Sequence, residues 1–211
     1  MKRLTGICAV LVTAVFLLMS LTSCGDNQSQ TTPHTAADGL NLHAVASLIY
    51  QGQARDGEHF EVSLNQPRIN NLDLDGDGHL DYINIAERGA GPFRAYSLTV
   101  TMPDNSLQEI ADIRFQHDLL TGRVTFEILG NPQIYGPNYY VRSPQPLTLG
   151  QTMFLTWMFT PRMVYVSPYS RVYLPPTYVR VRTVPVTTYR TGTAAVVKTS
   201  GVKLQEAKQP V

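Results

Sequence analysis

The apolar positions of this chain change period once, near residue 82, and the change separates a helical part from a stranded part. Leu40, Leu42, Val45, Ala46, Leu48 and Ile49 recur at helical spacing. They predict a helix over 38–53, with Asp38 as its N-cap and Gly52 as its stop. Phe60 and Leu64, four apart, predict a second short helix over 58–64 that ends before Pro67. From Tyr82 the period falls to two. Tyr82–Glu87 alternates; Tyr96, Leu98, Val100 and Met102 alternate with Ser97, Thr99 and Thr101. Leu107–Phe115 places Ala111, Ile113 and Phe115 on one face, and Val124, Phe126 and Ile128 form a fourth run. Turn residues at 88–92, 103–106 and 120–122 separate these runs. The fold class expected is α+β: two short N-terminal helices packed on a four-stranded antiparallel meander.

Both ends of the chain depart from that pattern. Lys2 and Arg3 precede an apolar stretch from Ile7 to Met19, and Leu21-Thr22-Ser23-Cys24 closes it with small residues before a cysteine. This is a secretory signal over 1–23, too short for a spanning helix with a stop-transfer sequence. Its last four residues resemble the lipobox of bacterial lipoproteins. The resemblance implies cleavage before Cys24, acylation of that residue and a stable membrane anchor. Gly25 in place of Asp after the cysteine implies sorting to the outer membrane. Cys8 leaves with the signal and Cys24 is lipidated, so the mature chain is expected to hold no disulfide. Residues 24–37 are polar and read as a flexible tether.

Beyond the meander, 130–140 is rich in turn formers and aromatics. Residues 147–160 carry Leu149, Met153, Phe154, Leu155, Trp157, Met158 and Phe159. About 13 residues cannot span a bilayer, so this short apolar helix either lies at a membrane interface or packs back on the domain. From 161 to 211, Pro168, Pro175, Pro176 and Pro185 among Tyr, Val, Arg and Thr predict an extended, disordered tail.

Between helices and strands lies Asp73-Leu-Asp-Gly-Asp-Gly-His-Leu-Asp81. Carboxylates at positions 1, 3, 5 and 9, with glycine at position 6, match the front of an EF-hand calcium loop. Ca²⁺ takes six to eight oxygens, and alternate residues of a tight loop turn toward one centre. The expected ligands are Asp73, Asp75, Asp77, the backbone carbonyl of His79, and Asp81 directly or through water. Position 12 is Asn84 where a bidentate Glu belongs, and a strand follows instead of a helix. Both favour a loop-into-strand site of weak affinity, on the order of 10⁻⁴ to 10⁻³ M. The alternative is an Asp/Gly turn without metal. Glu58, His59 and Glu61 lack the spacing of a second metal site.

Charge divides the chain again. Residues 24–160 hold seven basic against fifteen acidic residues, net −8, and residues 161–211 hold eight against one, net +7. The basic tail either contacts an anionic envelope polymer or protein, or folds over the acidic domain 38–146. Export and a near-neutral mature charge exclude nucleic acid. No nucleophile elbow, phosphate loop or His-rich set is present, so no enzyme activity is expected.

Taken together, Asn71–Tyr82, Gln133–Tyr139, the Trp-containing segment and the Ser-Pro-Tyr-rich tail resemble a set of uncharacterised bacterial envelope lipoproteins with a single EF-hand-like loop. The resemblance covers roughly residues 38–180 and implies architecture, not activity. The expectation is a non-catalytic outer-membrane lipoprotein with one structural Ca²⁺, serving as an envelope binding or scaffold protein. The alternative is a calcium-responsive sensor or assembly factor acting through its tail.

Overall fold

A computed structural model describes residues 36–143, 145–200 and 205–208. The signal sequence, Cys24 and most of the tether lie outside these residues.

The first predicted helix is two. Helix α1 (Ala36–Gly39) stops at Leu40, which bridges to Asn70, and α2 spans Leu42–Gln51. The N-cap is Asn41 and not Asp38: its side chain accepts from the His43 and Ala44 amides at 2.9 and 3.3 Å. Asn competes with helical backbone bonds and so starts helices well, which is why the apolar stripe alone misplaced the start. A close approach enforces the break: a Cβ on Gly39 would meet the Leu72 backbone at 2.9 Å. Gly52 ends α2 as expected, left-handed at φ 61° with its N–H on the Ile49 carbonyl. Helix α3 (Gly57–Leu64) starts one residue earlier than predicted, capped by Asp56.

Strands β1 (Ile83–Ala90), β2 (Phe93–Thr101), β3 (Leu107–Asp118) and β4 (Arg123–Gly130) form the antiparallel meander. The sheet is wider than four strands. After a one-turn helix α4 (Pro132–Tyr135), β5 (Tyr139–Arg142) and β6 (Leu147–Thr148) share the far edge of β4. The last strand, β7 (Gln205–Lys208), pairs with β5, giving the order β1-β2-β3-β4-β5-β7. Strands of two to four residues carry too few alternations to stand out between turns.

Ile83, Ile85, Tyr96, Leu98, Val100, Ile113, Phe115, Val124, Phe126, Ile128 and Val141 turn inward to the helices. The 147–160 segment resolves into β6 and α5 (Met153–Phe159), and α5 packs back on the domain. Phe154 stacks on Phe60 at 4.8 Å between ring centres and lies 5.9 Å from Tyr96. With Leu155 and Met158 it is fully buried. Burial of each such side chain is worth about 1.5–3 kcal/mol, which outweighs what an interfacial position offers.

The tail differs most from expectation. Residues 161–185 are extended, as their prolines require, but they are docked. Glu87 N–H donates to the Tyr165 carbonyl at 2.7 Å, and Ser167 N–H to the Ile85 carbonyl at 2.9 Å. These bonds cover the outer edge of β1. Helix α6 (Val186–Ser200) then packs on α2. Its β-branched residues and Gly192 are poor helix formers, so no helix was predicted there. Tertiary anchoring overrides the weak propensity. Buried Tyr189 donates to the Ile69 carbonyl at 2.6 Å and accepts from the Asn41 amide at 2.8 Å. The two charge blocks pair within one molecule: Arg162, Arg171, Arg180 and Arg190 meet Glu87, Asp75, Asp77 and Asp38. Among the described residues no helix is long and apolar enough to cross a membrane.

Candidate metal centre

The acidic loop hangs between two fixed ends. Asn70 anchors the first: its amide donates to the Asp81 carbonyl at 2.7 Å, and its side-chain oxygen accepts from Leu72 N–H at 2.8 Å. Asn65 fixes the second by accepting from Ile83 N–H and donating to the Ile83 carbonyl, both at 2.8 Å. Both asparagines are buried, and each stands in for a backbone partner that the turning chain lacks. Gly76 and Gly78 take φ of 74° and 78° at the turn, where a Cβ would be strained.

The aspartates wind the loop before they offer oxygens outward. Asp73 Oδ2 accepts from Gly78 N–H at 3.0 Å, and Asp75 Oδ1 from Asp77 N–H at 3.1 Å. Asp81 Oδ2 accepts from Leu74 N–H at 2.5 Å. This brings Asp73, Asp75 and Asp81 together, with one oxygen of each within 4.8 Å of the others. Asp73 Oδ1 is buried and has no hydrogen-bond partner. Burial, and then the charges of Asp75, Asp73 and Asp77, push the Asp81 carboxyl up to about 6. Three crowded carboxylates with one buried orphan oxygen fit a hard cation that takes oxygen ligands.

One of the five expected ligands is placed differently. Asp77 stands outside the group of three. It loses some hydration, but the His79 N–H bond and then Arg180 hold its carboxyl below the ordinary aspartate value. Its oxygens face His79 N–H at 2.9 Å, the Arg180 guanidinium, and Arg171 at 3.7 Å. The His79 ring lies back on Asp77, with Nδ1 3.1 Å from the Asp77 carbonyl oxygen. Asn84, at position 12, is committed to β1 and the tail: its amide donates to Ser167 Oγ at 3.0 Å and to the Tyr169 carbonyl at 2.9 Å.

Sequence reasoning missed the strap across the loop. Leu80 N–H donates to the Val181 carbonyl at 2.9 Å, and Thr183 N–H to the Gly78 carbonyl at 3.1 Å. These flank the bridge between His79 and Arg182. Asn71 exchanges two hydrogen bonds with Val184, each 2.9 Å. Tyr82 is flanked edge-on by Tyr169 and Tyr178 at 5.9 and 5.0 Å. Arg171 reaches the Asp75 carboxylate, which is 5% exposed. The sequence carried one signal of this: a tail rich in Arg and Tyr with charge opposite to the domain.

Glu58 and Glu61 serve the same strap. Glu58 accepts from Tyr169 OH at 3.0 Å. Glu61 accepts from Ser167 Oγ at 2.7 Å, Tyr165 OH at 3.3 Å and Ile85 N–H at 3.3 Å. Burial raises the Glu61 carboxyl above its ordinary value against these donors.

Comparison with protein families, with curated proteins and with solved structures gives no match for this chain.

Proposed function

We propose that this chain is a non-catalytic, lipid-anchored protein of the bacterial outer membrane, built around one structural calcium loop. The observation that carries the metal reading is the convergence of Asp73, Asp75 and Asp81 around the orphaned Asp73 Oδ1. Calcium is the ion proposed because the loop spacing is that of calcium loops. Mg²⁺ demands near-ideal octahedral geometry and is rarely caged by protein alone. Asp73, Asp75 and Asp81 would hold the ion, with the His79 carbonyl and water as further oxygens. Its charge would offset the repulsion among them. The leader and Leu21-Thr-Ser-Cys24 support the anchor.

The test is a calcium titration of the mature chain carrying Cys24→Ser, following melting temperature and heat of binding, with Asp75→Ala/Asp81→Ala as control. The expected result is stabilisation of the parent and none of the control. No response from the parent at millimolar calcium would leave the loop as a metal-free turn. For the anchor, wild type is expected in the membrane fraction and Cys24→Ser in the soluble one.

A role as an envelope scaffold or binding protein follows from the absence of any recognisable catalytic set in the sequence. Among the described residues, contact with an anionic envelope polymer would fall to exposed Arg182 and Lys198, because four other tail arginines have acidic partners in the chain. A second reading, in which calcium is sensed, is favoured by the strap that lies on the loop itself.

A further inference from the structure

The strap holds the loop at two kinds of contact, and only one of them touches the oxygens a metal would need. Backbone bonds join Gly78 and Leu80 to Thr183 and Val181, and the Asn71 side-chain amide bonds the Val184 backbone. None of these uses a loop carboxylate. The other contact is Arg171, whose Nη1 sits on Asp75 Oδ2 and whose Nη2 lies 3.7 Å from Asp77. Asp75 Oδ1 already accepts from Asp77 N–H. Its Oδ2, bound by the guanidinium, is therefore the oxygen with the most to give a cation.

We infer that Arg171 is the resident cation of this loop, competing with a divalent metal for Asp75, so that metal binding releases the 170–174 turn of the strap. The inference rests on the reading that the loop takes a metal. The Asp75 side chain is 5% exposed and that of Arg171 30%, so their ion pair is partly shielded from water and salt. A divalent ion among Asp73, Asp75 and Asp81 would take the same carboxylate and repel the arginine beside it. Arg171 sits in a turn closed by Ser170 N–H on the Tyr173 carbonyl at 2.8 Å. That turn is backed by Tyr169 stacked against Tyr173. Tyr173 is 61% exposed and Val172 is 91% exposed. Tyr169 stays tied to Asn84, Glu58 and Tyr82, and beyond it the exposed Val172 and Tyr173 give the turn little to keep it down once the ion pair is gone. Residues 178–184 keep their backbone bonds and stay docked. Arg180 pairs with Asp77, outside the three-carboxylate group, and does not compete for Asp75.

The test uses the mature Cys24→Ser chain and calcium alone as probe, with two readouts. Calorimetric titration compares the parent with Arg171→Gln and Arg180→Gln. Direct competition makes Arg171→Gln bind calcium roughly tenfold tighter, and Arg180→Gln changes affinity far less. Hydrogen exchange on the unsubstituted strap needs no variant: calcium should speed exchange of amides at 170–174 and leave those at 181–184 unchanged. Equal or weaker calcium binding by Arg171→Gln, or exchange at 170–174 that is unchanged or slower with calcium, would overturn the inference while the metal site stood. No calcium binding by the parent or by Arg171→Gln would overturn the metal reading and this inference with it.

Discussion

Two of the acidic spots that recruit arginines from the tail differ in how far neutralisation goes. At Glu87, whose side chain is 1% exposed, both oxygens face an arginine. Arg162 Nη1 lies 2.7 Å from one carboxylate oxygen and Tyr165 N–H donates to it at 2.9 Å. Arg94 stands 3.6 Å from the other oxygen, and Arg162 stacks on Trp157 at 3.3 Å. At the loop, one arginine reaches Asp75, another is spent on Asp77, and Asp73 Oδ1 is left bare. A saturated buried carboxylate is structural cement. An unsaturated one, at a spacing that suits a divalent ion, is a place where solution conditions enter the fold.

The largest test of this contrast is Glu87→Ala. It strands two partly buried arginines and is expected to cost about 3–5 kcal/mol in denaturant unfolding, with no change in response to calcium. Next comes calcium itself. At 10 mM, roughly 10 to 100 times the expected dissociation constant, it should stabilise the parent by about 1.4–2.7 kcal/mol. Asp75→Ala/Asp81→Ala should show none of that gain in the same melts. Asn71→Ala removes two bonds to Val184 and should cost about 1–2 kcal/mol, with faster hydrogen exchange near residue 184.

The smallest effect is a pH slope from Glu61. Its folded pKa is raised above the ordinary 4.5, so the folded state binds the proton more tightly than the unfolded state. The resulting stability is fully present below the ordinary value and is lost as pH rises through the folded pKa. The stability of the parent minus that of Glu61→Gln should therefore fall as pH is raised from about that value. A flat difference curve would mean that the hydrogen bonds to Glu61 offset its burial entirely.

What the sequence made legible were features set by neighbours along the chain. The four meander strands, the Gly52 stop, and the carboxylate spacing of Asp73, Asp75 and Asp81 are all local patterns. What it hid is non-local. Arg171 meets Asp75 from 96 residues away and Arg180 meets Asp77 from 103; no periodicity encodes such pairs. Helix α6 was hidden for a related reason: its residues disfavour a helix, and the anchor that overrules them, Tyr189, binds Ile69 and Asn41 across the fold. Asp77 stands apart from Asp73, Asp75 and Asp81, held by Arg180 and the His79 N–H, a placement that spacing alone does not encode.

The strap's placement also imposes an order in time. The chain emerges from its amino end, so residues 73–87 appear well before residues 162–184. In that interval Asp75 has no arginine, Glu87 has only Arg94, and the outer edge of β1 has no neighbour. The sheet can form early from its hairpins, yet it is finished only by the last quarter of the chain, a late closure of high sequence separation. Any nascent chain arrested before about residue 160 would present a charged, open-edged intermediate. The carboxyl-terminal segment is thus the part that completes the fold, and it is delivered last.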